Sequence, residues 1–74
     1  WWFHLDDFPS GHLIVESNYV SDDEIFQAAS LVKQYSKFKN LKKVRVCYTQ
    51  IKNLKKGKTL GEVIILKNPL FINV

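Results

Sequence analysis

A helical repeat occupies one stretch of this chain, and the apolar segments on either side are patterned for strands. Ser21-Asp22-Asp23-Glu24 is a capping box, in which a hydroxyl and a carboxylate three residues apart satisfy orphan N–H groups at a helix start. Ile25, Ala28, Ala29, Val32 and Tyr35 then recur at three and four residues. That spacing predicts one helix with one buried stripe, fraying near Ser36 to Asn40. Before it, residues 1–5 are aromatic and apolar with alternation, a strand signal. Asp7-Phe8-Pro9-Ser10-Gly11 reads as a turn. Residues 12–16 read as a second strand, with Leu13 and Val15 on one face and His12, Ile14 and Glu16 on the other. After the helix, residues 43–50 are the clearest strand: Val44, Val46 and Tyr48 share one face, and Arg45, Cys47 and Thr49 the other. Residues 52–58, with four lysines, are expected to be an exposed loop. Residues 61–67 form a further strand, Pro69 interrupts, and residues 71–74 suit a last strand. The order β-β-α-β-β predicts an α+β fold, a small antiparallel-rich β-sheet covered on one face by a single helix.

The chain has 74 residues, which suits one domain. A domain of this size buries only about 60% of its unfolded surface, so its core is small. With 46% of residues apolar and 14% aromatic there is enough for one such core, and the composition argues against disorder. No apolar run approaches the roughly 20 residues of a membrane span, and no signal peptide pattern is visible. The single cysteine, Cys47, allows no internal disulfide, which suits a reducing, cytoplasmic setting. The abrupt apolar opening on Trp1-Trp2-Phe3 is expected of a fragment whose first strand begins at the cut.

The charges are sorted. Asp6, Asp7, Glu16, Asp22, Asp23 and Glu24 fall in residues 1–32, which hold no Lys or Arg. Lys33, Lys37, Lys39, Lys42, Lys43, Arg45, Lys52, Lys55, Lys56 and Lys58 fall in residues 33–58, which hold no acid. Part of this is helix chemistry, because acids suit the positive end of the helix dipole and lysines the negative end. A surface kept only for solubility would interleave both signs. A one-sign run instead makes a field that collects an opposite-sign partner, and nucleic acid is the abundant one. Lysine is a point charge for phosphate, while arginine suits bidentate reading of bases. One arginine among ten bases points to recognition of backbone and shape.

Specific residues resemble the NFACT-R domain family. Trp2-Phe3-His4 followed by Ser10-Gly11-His12 is similar to the family's opening, a Trp-Phe-His and then a small residue before a second His. Ala28-Ala29, Leu31-Val32 and Tyr35-Ser36-Lys37 resemble its alanine pair and Tyr-Ser-basic element. Val44, Val46, Tyr48-Thr49 and Lys52-Asn53-Leu54-Lys55-Lys56 resemble its Val-x-Tyr-Thr strand and lysine-rich loop, and Gly61-Glu62-Val63 its next strand start. Asn68-Pro69 also has counterparts in some members. The likeness covers nearly the whole chain. The family's leading aspartate is missing, which fits truncation at the N-terminus. The resemblance implies binding of RNA, with tRNA, rRNA or the ribosome as partner. It also implies the setting of ribosome-associated quality control, in which large members recruit tRNA to extend stalled nascent chains. Those members add an N-terminal NFACT domain, a helix-hairpin-helix and a coiled coil. None lies within these 74 residues, so tail synthesis is not expected of this segment alone.

The candidate RNA-binding residues are therefore Lys33, Lys37, Lys39, Lys42, Lys43, Arg45, Lys52, Lys55, Lys56, Lys58 and His12. Gly57 would allow close backbone approach to a phosphate, although the Gly, Lys and Ser/Thr spacing is not that of a P-loop. The alternative for the same lysines is docking on an acidic protein partner. His4 and His12 with Asp6 and Asp7 match no standard zinc spacing, so no metal or other cofactor is expected. Both histidines are expected to bond backbone or loop groups, with His12 the better functional candidate because it follows a glycine at a loop-to-strand junction. Trp2 and Phe3 are expected in the core, with one of them available for stacking on bases. Cys47 lacks the nearby base a nucleophile needs. An RNA-processing enzyme using His4, His12 and Asp7 as acid-base groups is the third and weakest reading.

Overall fold

In the computed structural model, residues 1–6, 8–59 and 62–74 are described. The elements are β1 (Trp2–Leu5), β2 (Leu13–Ile14), α1 (Asp22–Gln34), β3 (Arg45–Thr49), a 3-10 turn (Ile51–Asn53), β4 (Leu54–Lys56), β5 (Val63–Ile65) and β6 (Leu70–Asn73). The fold is α+β, with one helix on an antiparallel sheet.

Helix α1 begins where the capping box places it. Glu24 N donates to Ser21 Oγ and Ser21 N to Glu24 Oε1, both at 3.1 Å. Asp22, Asp23 and Glu24 occupy the first turn, and Lys33 the last. The helix ends at Gln34, at the edge of the expected fraying segment. Ala28, Ala29 and Val32 are buried and Ile25 packs against them. Tyr35 does not join the stripe: it caps the helix C-terminus and is 83% exposed. The stripe stops there because the chain leaves helical geometry at Tyr35, where ψ is 9°, and Ser36 N turns to Lys33 O.

The main sheet has the order β2-β1-β3-β6, all neighbours antiparallel. The register pairs Phe3 with Tyr48 and Leu5 with Val46, so these side chains share the helix-facing side. Phe3, Leu5, Val44 and Val46 form the core with the helix stripe, and Leu13, Val15, Tyr48 and Ile72 pack around it. Burying Phe3 and Leu5 alone removes enough apolar surface to contribute a few kcal/mol, roughly 1.5–3 per side chain.

The period of two sends Trp2, His4, Cys47 and Thr49 to the opposite face. Trp2, Cys47 and Thr49 are nevertheless buried. The reason lies in residues 52–58. They are not simply a loop: Asn53 ends a 3-10 turn, and Leu54, Lys55 and Lys56 pair with Ile65, Ile64 and Val63 in a separate two-stranded sheet. Val63 and Ile65 of this hairpin line a cleft with Trp2, His4 and Cys47. Consecutive lysines hid the strand, because both point to solvent on a ribbon that buries little. The expected strand over 61–67 is realised as Val63–Ile65, Gly61 lying outside the described residues. Leu13–Ile14 and Arg45–Thr49 are shorter than the strands expected over 12–16 and 43–50, and the last strand, Leu70–Asn73, starts one residue early.

Candidate nucleic-acid interface

The basic run is divided by β3. Lys33 in the last helical turn is half-buried, and its Nζ donates to Val74 O at 3.1 Å. Lys37, Lys39, Lys42 and Lys43 are exposed between the helix and β3. Val44 and Val74 exchange backbone bonds at 2.8 and 2.9 Å, so the C-terminal end of β6, the end of α1 and the segment before β3 meet. Lys52, Lys55, Lys56 and Lys58 are exposed and follow β3 in the chain. About 13 Å of strand separates Arg45 from Thr49, at ~3.3 Å per residue. The lysines thus form two groups in the chain, one before and one after β3.

Arg45 differs from the lysines. Its Nε and Nη2 both donate to Asp6 Oδ2, at 2.8 and 2.5 Å. Its guanidinium also lies 4.8 Å from the Phe71 ring centroid. The register explains both contacts: Asp6 follows β1 directly opposite Arg45, with Asp6 N donating to Arg45 O at 3.0 Å, and Phe71 of β6 sits on the same face.

His12 is exposed and lies beside Trp2, ring centroids 6.4 Å apart. His4 stacks on Trp2 at 5.5 Å with planes 7° apart, and its Nδ1 donates to Leu5 O at 2.6 Å. His4 therefore meets the expectation of a backbone bond. Ser10 Oγ accepts from Leu5 N at 3.1 Å and donates to Gly11 O at 2.8 Å, which fixes the loop that delivers His12.

Two neighbouring hollows share Trp2, His12 and Val63. One, of about 310 Å³, continues to His4, Asp6, Ser10, Cys47 and Ile65. The other, of about 360 Å³, continues to Ile14, Leu54, Lys55 and Lys56. The fold thereby joins His12 to Lys55 and Lys56, residues more than forty positions apart in the chain. Trp2 Nε1 is buried and has no hydrogen-bond partner among the described residues. An unsatisfied buried donor costs about 1–3 kcal/mol. Nothing in the sequence marked Trp2 as orphaned, since that depends on what the hairpin covers.

The hairpin tip does not offer Gly57 to a ligand in the way the sequence suggested. A Cβ placed on Gly57 would lie 2.2 Å from Glu62 Oε1, and Lys58 N donates to that same oxygen at 3.2 Å. A carboxylate of the chain itself sits against this backbone. Burial raises the Cys47 thiol pKa above its ordinary 9.0, helped by the negative charge of Asp6. No group of three His, Cys, Asp or Glu side chains among the described residues could hold a metal ion. No helix among the described residues is long and apolar enough to cross a membrane.

The family described as "NFACT protein RNA binding domain" matches residues 1–66. The chain is 34% identical over 55 residues to the Rqc2 homolog RqcH of Bacillus subtilis (strain 168), a match spanning 74% of this chain and 10% of that protein. This chain belongs to the NFACT RNA-binding domain family, and nucleic-acid binding is the role that membership assigns to it.

Proposed function

We propose that the domain binds structured RNA, tRNA or rRNA, by phosphate contacts from its exposed lysines, without reading sequence, and that it serves ribosome-associated quality control. The observation that carries this reading is the state of the lysines. Lys37, Lys39, Lys42, Lys43, Lys52, Lys55, Lys56 and Lys58 are all exposed, and among the described residues none of them forms an ion pair. Ammonium groups left in water without carboxylates keep their full charge for phosphate, and each contact releases a counterion. Arg45, held by Asp6, adds less to this field than its place in the sequence suggests.

Binding of tRNA measured across a salt series tests the proposal. The logarithm of affinity should fall steeply with the logarithm of salt, by about 0.7–0.9 per phosphate contact. A flat response, or capture of an acidic protein that survives nuclease while tRNA fails to bind at low salt, would replace RNA with a protein partner.

A further inference from the structure

We propose that the two joined hollows beneath the hairpin hold one unpaired nucleotide of the bound RNA, its base stacked against the Trp2–His4–His12 group and its phosphate at Lys55 and Lys56. This rests on the RNA reading above and names the part of the RNA that the site takes.

Four observations meet here. The groove has an aromatic floor, with Trp2 and His4 parallel at 5.5 Å and His12 beside them at 6.4 Å. Every base has a π-face, so such a floor accepts bases without regard to sequence. Lys55 and Lys56 line one end together with Glu62, and Asp6, held by Arg45, lines the other. The two ammonium groups are the cations a nucleotide's phosphate would meet. The walls between the ends, Val63, Ile65, Leu54 and Ile14, are apolar and suit the faces and edges of a ring. Finally, Trp2 is 6% exposed and its indole N–H is buried without a partner among the described residues. A base carbonyl or ring nitrogen is an acceptor of the kind it lacks.

Access follows from the topology. Strands β4 and β5 pair only with each other among the described residues, not with the four-stranded sheet. A base reaching Trp2 would therefore displace side-chain packing and not a ladder of the main sheet. Duplex RNA keeps its bases paired and stacked, so the groove selects single-stranded loops and ends, while the lysines act on any phosphate.

The test compares three probes of the intact chain: a short oligouridylate, a blunt RNA duplex of equal nucleotide count, and inorganic polyphosphate, which has charge but no base. In a Trp1→Phe variant, emission from Trp2 should be quenched by oligouridylate and unchanged by polyphosphate, although both bind. His12→Ala, at an exposed position, should weaken oligouridylate roughly tenfold, the scale of one stacked base, and leave polyphosphate affinity unchanged. If Trp1→Phe fails to fold, the His12→Ala comparison decides alone. Equal quenching by polyphosphate and oligouridylate, or equal loss of both in His12→Ala, overturns the nucleotide groove and leaves the lysine reading standing. Absence of binding to any RNA overturns both.

Discussion

Asp6 and Arg45 stand opposite each other across the β1–β3 ladder, and the Asp6 carboxylate holds the guanidinium through two nitrogens. One residue comes from the acidic part of the chain and the other from the basic part. Their pairing undoes, at one point, the charge separation that the sequence displays. The pair is half exposed on the arginine side, so its own contribution to stability is small. Arg45→Ala should lower stability by about 1 kcal/mol, combining the ion pair with the Phe71 contact, measured by urea unfolding. It should change tRNA affinity less than the loss of one hairpin lysine. A larger effect on RNA than on stability would show that Arg45 leaves Asp6 to reach phosphate.

Lys55→Glu with Lys56→Glu should leave the fold intact, since both side chains are exposed. The double change should weaken all RNA sequences about equally and reduce the salt slope by about 1.4–1.8, two contacts at 0.7–0.9 each. Filter binding over a salt series reads both numbers. Weakening confined to one RNA sequence would argue for base reading instead.

Leu5→Ala should cost about 2–5 kcal/mol, because Leu5 is fully buried between β3 and α1 and its loss leaves a cavity. A small domain has only about 5 kcal/mol or a little more in total. The variant should therefore be largely unfolded by circular dichroism near body temperature. Retention of a cooperative transition at the wild-type urea midpoint would contradict the core assignment.

Ser21→Ala removes one arm of the capping box and should cost about 1 kcal/mol. Glu24→Ala should have a similar but smaller effect, and the double variant should be less than additive because the two bonds close one motif. Thermal melts of the three variants supply the comparison.

Cys47 should make the domain less stable at alkaline pH. Its thiol pKa is raised in the folded chain, first by burial and second by Asp6. The unfolded chain therefore releases that proton first as pH rises. The resulting stability is complete below the ordinary pKa of 9.0 and is lost as pH climbs through and beyond it. Urea midpoints at pH 8 and at higher pH should fall more in wild type than in Cys47→Ala. The thiol should also react slowly with a disulfide reagent until the chain is unfolded.

The helix was legible before any coordinates. Its capping box and the spacing of Ile25, Ala28, Ala29 and Val32 are local, and local chemistry fixes a helix start and a buried face. The alternation of Val44, Val46 and Tyr48 against Arg45, Cys47 and Thr49 was equally local and correctly sorted the two faces of β3. Tyr35 escaped because a stripe continues only while the backbone stays helical. The 52–58 segment escaped because its strand depends on partners seven to eleven residues on, and two adjacent lysines carry no period-two signal.

Sequence alone determined the helix, the strands of the main sheet, the family pattern and the separation of acidic from basic residues. Tertiary structure decided what those charges face. It set Arg45 on Asp6 and folded the β4–β5 hairpin over Trp2 so that His12 meets Lys55 and Lys56. Each of these outcomes depends on strand register, and register is fixed by which side chains the whole sheet can bury together, not by any neighbour in the chain.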